Sequence, residues 1–287
     1  MIAIFKKELR MFFIQMTGYI FLAFSIFLVA LFYVAINVFG RMPDFHQVLS
    51  ASTILFFLMI PTATMRLFAD ETKSGTDRLI FTSPLSVWQI VFGKYLAASV
   101  LFLLAILITI LFPFMISRFG ELPLAQITGA YVGFTLMGLG FIALGVFISS
   151  LTENQIIAAV ATFGAIFMFF VLDGLAGAMP ADARSGLFFI LLIIAGIAGL
   201  LYHSIKNWKI PLILFVILGA IALTVFLLEP ILFDGLIGRA FRWTSVFSRY
   251  DTLTRGALNI EDIVFYISFA GLFIYLTVNS IEKRRWR

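Results

Sequence analysis

Cysteine is absent from this chain of 287 residues, and charge is scarce, Lys, Arg, Asp and Glu together making up 12% of it. The first absence excludes a disulfide framework and a thiolate metal site. The second excludes an ordinary soluble domain, in which about a quarter of residues are charged. Imidazoles are nearly missing too: only His46 and His203 are present, far apart in sequence. No His-Glu-x-x-His motif occurs, and Gly93-Lys94 lacks both the preceding glycine and the following Ser/Thr of a phosphate-binding loop. The chain therefore offers neither a zinc-hydrolase motif nor a nucleotide site of its own, and no cofactor is expected in it.

What is present is apolar, at 62% hydrophobic residues. The clearest run, Gly18 to Val38, contains no charge. At about 1.5 Å per residue such a run matches the roughly 30 Å hydrocarbon core of a bilayer. The runs are continuous, not alternating, so helices rather than a barrel satisfy the backbone in lipid. The 35 phenylalanines read as lipid-facing and helix-packing surface before any aromatic binding box. The pattern predicts an all-α, polytopic membrane bundle of about eight spans, near 18–39, 48–65, 93–117, 126–150, 154–176, 187–203, 210–228 and 262–281. The first run is long for the apolar part of a signal peptide and has no small-residue cleavage site behind it, so it reads as a retained anchor.

Ahead of it, residues 1–17 place Ile2, Phe5, Leu9, Phe12, Phe13 and Met16 on one face and Lys6, Lys7 and Arg10 on the other. That pattern predicts a basic amphipathic helix lying in the interface. Orientation follows from the basic residues. With the N-terminus in the cytoplasm, thirteen Lys and Arg fall inside and seven outside, four of the seven in one long loop. The expected location is the cell (plasma or inner) membrane with both termini cytoplasmic.

Two connections exceed a turn. Residues 66–92 form a charged cytoplasmic excursion, and 229–261 an external one. In the latter Phe233, Leu236, Ile237, Ala240 and Phe241 form an apolar stripe opposite Asp234, Arg239 and Arg242, as expected of an interfacial helix. In the former, helix two runs on past the headgroups, breaks at Ser74-Gly75, and is followed by a short helix from Thr76 to Thr82 that stops at Ser83-Pro84. Ser86 and Gln89 read as a capping box opening the next span. A hairpin needs only a handful of residues, so the extra length points to a cytoplasmic partner. The candidate coupling residues are Glu71, Gly75, Thr76, Leu79, Ile80, Ser83 and Pro84, with Leu79 and Ile80 as the apolar contact. Glu71 is expected to pair with Lys73, Arg78 or a partner cation.

The run Met65 through Ala97, with Met65-Arg66-Leu67-Phe68-Ala69-Asp70-Glu71, Lys73-Ser74-Gly75-Thr76, Ser83-Pro84-Leu85-Ser86 and Gly93-Lys94-Tyr95-Leu96-Ala97, resembles the ABC-2 type permeases. The closest likeness is to the gliding-motility F permease branch, with the nitrous-oxide-cluster Y permeases as neighbours. Lys6-Lys7-Glu8-Leu9-Arg10, Ser149-Ser150-Leu151-Thr152-Glu153-Asn154-Gln155, Arg255-Gly256 and Arg284-Arg285-Trp286 extend it. The resemblance implies a single permease domain over 1–287 with a six-helix core, to which 187–228 adds a helical pair. It also implies a second permease copy or a related permease as partner, and a separate ATP-binding subunit that holds ATP and magnesium. An external accessory protein and membrane lipid complete the expected partners, with no nucleic acid. Thr152 and Gln155 read as a capping box, and Glu153 beside them as either part of that turn or a second contact with the ATPase.

Asp173 is the main ionisable residue inside a predicted span, either an interfacial residue near the outer end or a substrate contact. Gly129, Gly133, Gly138, Gly140 and Gly145 read as helix-packing positions. Three functions remain open: an exporting permease driven by a separate ATPase, a mechanotransmitting subunit acting on an external partner, and an integral-membrane lipid-modifying enzyme. The last lacks the clustered carboxylates or histidines it would need.

Overall fold

The computed structural model describes residues 1–76, 85–118, 122–205 and 209–285. Among the described residues all regular structure is helical. Helix α1 (Ile2–Ile14) turns at Met16, whose φ of 60° is left-handed, into α2 (Thr17–Tyr33), which continues as a π-helix, Val34–Phe39. The second span is assembled from pieces: α3 (Phe45–Ser52), a 3-10 turn, α4 (Phe56–Thr64) and α5 (Ala69–Ser74). Pro61 inside α4 supplies no N–H to the helical ladder. Next come α6 (Val87–Thr109), α7 (Leu111–Ile116), α8 (Leu124–Leu151) and α9 (Gln155–Ala178). They are followed by α10 (Ala183–Ile205), α11 (Lys209–Leu228), α12 (Leu236–Thr244), α13 (Val246–Thr254) and α14 (Ile260–Arg285).

Among the described residues seven helical stretches are long and apolar enough to cross a membrane: Thr17–Phe39, Phe45–Ser74, Val87–Ile116, Leu124–Leu151, Gln155–Ala178, Pro211–Leu228 and Ile260–Arg284. The chain is a multi-pass membrane protein. The span expected at 187–203 lies on α10, a helix of 23 residues that is apolar over Ala183–Gly199.

The helices divide into two compact units, Met1–Met168 with Val246–Arg287, and Phe169–Ser245. In the first, α8 is the central element, packed by α3, α4, α6, α13 and α14. The five glycines of α8 allow this: a Cβ on Gly138 would lie 2.1 Å from the Phe102 ring, and one on Gly145 2.3 Å from Thr64 Oγ1. Around them the Phe56 ring lies, tilted or edge-on, 4.6 Å from that of Phe134 and 5.9 Å from those of Phe102 and Phe141, so part of the phenylalanine content is core. The Ser86–Gln89 capping box is present, each side chain answering the other's backbone N–H at 3.3 Å.

Helix α1 is amphipathic, but its buried stripe is Ile4, Glu8 and Phe12. Ile2 and Met16, on the expected apolar face, are 65% and 68% exposed on the protein surface, and Phe5, Leu9 and Phe13 lie half-buried between. The face turned toward the bundle is thus rotated from the most apolar one, because it packs on α6 and carries a carboxylate inward.

In the second unit α10 packs along α11. Gly186 permits close passage of the Phe233 carbonyl, which would lie 2.2 Å from an added Cβ. Helix α12 keeps Arg239 and Arg242 exposed, with Phe241 and Ala240 half-buried and Phe233 buried just before it. That matches the expected amphipathic stripe.

Candidate functional site

After Pro61 the second span does not simply continue. Residues 65–68 form a turn between α4 and α5, and its loose backbone groups are gathered by one side chain of α8. Ser149 Oγ accepts from the N–H groups of Phe68 at 3.2 Å and Ala69 at 3.3 Å, and donates to the Met65 carbonyl at 3.1 Å. Three groups that a helix break would leave unpaired in the interior are thereby satisfied.

This turn aims the Leu67 carbonyl and Glu71 at Lys94 of α6. Lys94 is fully buried, and its ammonium lies 2.9 Å from Glu8 Oε1 and 2.8 Å from Glu71 Oε2. It also donates to the Leu67 carbonyl, and sits 5.0 Å from the centre of the Phe68 ring. Lys7 closes the cluster from outside, 2.7 Å from Glu71 Oε1 and 3.7 Å from Glu8 Oε1. The side chains of Lys94, Glu8 and Glu71 are 0%, 8% and 13% exposed, against 49% for Lys7. Burial opposes the charge on Lys7, but the hydrogen bond and attraction from Glu71, with a contribution from Glu8, hold its pKa above the ordinary lysine range. Two cations and two anions balance, which is what makes a charge at this depth tolerable.

The cluster is a clasp. It joins α1, the α4–α5 turn and α6, the last of which opens just after residues 77–84. Glu71 therefore pairs with Lys7 and Lys94, not with Lys73. Arg78 falls outside the described residues. Gly75 ends α5 in the left-handed region at φ 70°, and Thr76 Oγ1 lies 2.9 Å from Ser74 Oγ. Leu79, Ile80, Ser83 and Pro84, with the expected helix around them, lie outside the described residues. Glu8 and Lys94 are the residues that sequence reasoning missed, although a lysine next to a long apolar run was itself a signal.

Glu153 is exposed in the bend between α8 and α9. The expected Thr152–Gln155 capping box is replaced by a cap two residues later, at Asn154. Asn154 Oδ1 accepts from Ile156 N–H at 2.9 Å, while Thr152 Oγ1 accepts from Asn154 N–H at 3.2 Å. The shift follows from helix α9 starting at Gln155, which makes Asn154 the natural N-cap.

In the second unit Asp173, half-buried on α9, accepts a hydrogen bond from Ser245 Oγ. Ser245 also lines a cavity of about 220 Å³ with Phe169, Leu172, Phe189, Ala240 and Phe241. Its lining side chains are apolar but for that hydroxyl, which is bonded to the Asp173 carboxylate. In the first unit Arg249 is held 3.0 Å from Asp262 and over the Phe265 ring, and Tyr266 donates to the Val246 carbonyl at 2.6 Å. These two contacts tie α13 to α14.

Residues 33–185 match the family described as ABC-2 family transporter protein. No curated protein shows significant similarity to the chain.

Proposed function

The chain belongs to the ABC-2 transporter family, and from that premise we propose that it is the permease subunit of an exporter, most akin to the gliding-motility F branch. Family membership implies pairing with an ABC ATP-binding subunit. In our reading two copies of this chain form the pathway, both termini are cytoplasmic, and ATP is hydrolysed only in the partner.

The observation that carries the reading is the clasp. Glu71 stands at the entrance of the excursion and Lys94 just after its exit, and both are tied to Glu8 and Lys7 of α1. A push on residues 76–84, through Leu79 and Ile80, would be delivered at once to α1, to α6 and, through Ser149, to α8. Glu71 is thus a positioning residue, and Gly75, Thr76, Ser83 and Pro84 shape the segment the ATPase meets. Glu153, exposed on the neighbouring bend, is a second contact. Asp173 and the cavity beside Ser245 form part of the substrate path, suited to an apolar body carrying a cation or a hydrogen-bond donor.

Copurification with the ATP-binding subunit tests this. Leu79→Asp/Ile80→Asp should lower capture of the ATPase a hundredfold or more, since burying each such side chain contributes about 1.5–3 kcal/mol. Glu71→Gln should retain capture while uncoupling ATP hydrolysis from transport. Undiminished capture together with wild-type transport in both variants would sink the proposal, as would ATP hydrolysis by the isolated chain at a transporter's rate. Topology is separable: a single cysteine at Ser74 should resist an impermeant thiol reagent applied to intact cells.

A further inference from the structure

Two cavities of the first unit adjoin each other near α1. The larger, about 270 Å³, is an apolar groove with Met59, Ala63 and Leu101 at its floor and the exposed side chains of Ile20 and Leu58 at its rim. The smaller is a polar recess holding Gln15, Arg66 and Asp70. Phe12 and Thr17 line both, and Met65 of the groove is followed in sequence by Arg66 of the recess. The groove lies just below the usual range of small-molecule sites, about 300–1,000 Å³. Its exposed rim suits an acyl chain laid along it better than a compact solute.

The recess says what the other end of such a ligand carries. Glu8 and Glu71 border it, but Lys7 and Lys94 already balance them. That leaves one cation and one anion. Arg66 donates through Nη1 to Gln15 Oε1 at 3.1 Å, and its buried Nε has no hydrogen-bond partner. Asp70 makes no ion pair among the described residues. A guanidinium matches a phosphodiester, and a carboxylate matches a primary ammonium that can donate to it. A headgroup with phosphate alone would set its charge beside Asp70. A quaternary ammonium has no N–H to give.

We propose that this groove and recess bind one glycerophospholipid whose headgroup pairs a phosphate with a primary ammonium, phosphatidylethanolamine being the simplest, in the leaflet where α1 lies. The bound lipid wedges α1 and α2 against α4 beside the clasp. This proposal stands apart from the transport reading, since it concerns a lipid held by the resting chain and needs neither ATP nor a partner.

The full chain, purified in detergent and titrated with phosphatidylethanolamine, phosphatidylcholine or phosphatidylglycerol, can be read by native mass spectrometry. One phosphatidylethanolamine should be retained, with about a tenfold preference over either of the others. Arg66→Gln should lower its retention about tenfold, and Arg66→Lys should recover part of that. Asp70→Asn should erase the preference over phosphatidylglycerol. Thr62→Phe, at an exposed position lining the groove, should lower retention of all three lipids, with its thermal unfolding confirming an intact fold. Equal retention of the three lipids by the unaltered chain would overturn the proposal. So would retention unchanged in both Arg66→Gln and Thr62→Phe, which would mean general solvation of an apolar face. Efficient cross-linking of Leu58→Cys to a second copy in native membranes would assign the groove to protein instead and overturn it equally.

Discussion

Lys94 and Asp173 are both ionisable residues on apolar helices, and they are satisfied in opposite ways. Lys94 has no exposure and is enclosed by two carboxylates, a carbonyl and an aromatic face drawn from α1, the α4–α5 turn and α5. Asp173 is half-buried and answers a hydroxyl that lines an apolar cavity. An ion fully enclosed by opposite charge and hydrogen bonds has no capacity left for a ligand, so it serves to fix geometry. A carboxylate bonded to a hydroxyl that lines a cavity is placed, in our proposal, to influence what enters. The same default expectation, that an ionisable group in a span is functional, therefore yields a joint in one region and, in our proposal, a binding determinant in the other.

The contrast can be broken at Lys94 first. Lys94→Met leaves Glu8 and Glu71 buried side by side with only the half-exposed Lys7 to balance them. Removing one partner of a buried ion pair costs about 3–5 kcal/mol, so the variant should unfold at much lower temperature in detergent, and adding Glu8→Gln should restore part of the loss. A change below about 1 kcal/mol would show that the clasp does not hold the bundle together. Glu71→Gln comes next, at about 1.5–3 kcal/mol, because Lys94 keeps Glu8 while losing one charged hydrogen bond. Ser149→Ala should cost about 1–2 kcal/mol, since the N–H groups of Phe68 and Ala69 lose their acceptor. Hydrogen exchange at those two amides should accelerate in step. Asp173→Asn should shift thermal stability by less than about 1 kcal/mol while altering substrate-stimulated ATPase activity of the complex. If it instead destabilised the chain as severely as Lys94→Met, the distinction between joint and binding determinant would collapse.

Features set by short-range chemistry were legible in the sequence. Continuous apolar runs located the spans, Ser86 and Gln89 announced a box that closes over three residues, and the glycines of α8 marked where helices approach. The clasp was not legible, because Lys94 and Glu8 stand 86 residues apart and only the packing of α1 on α6 brings them together. The same packing turns the Ile4, Glu8 and Phe12 stripe of α1 toward the bundle and leaves Ile2 outward: a carboxylate with a waiting lysine can be buried where an isoleucine need not be. The bend after α8 failed on a finer scale, since Thr152 and Asn154 are both good caps and two residues of helix length decide between them. Asp173 lies in the last two turns of α9. Its hydroxyl partner, 72 positions along the chain, was beyond any local pattern.

Gly75 closes α5 at φ 70° with no neighbouring atom within 4 Å of where a side chain would begin. Space is therefore not what the position demands; chirality is. Any L-residue other than asparagine or aspartate would be penalised by about 1–2 kcal/mol for adopting this mirror-image backbone. A D-alanine introduced by chemical ligation would adopt it without strain and would also narrow the unfolded ensemble. The chain leaves the clasp through a stereochemical gate, and the direction of that departure is written in the handedness of a single residue.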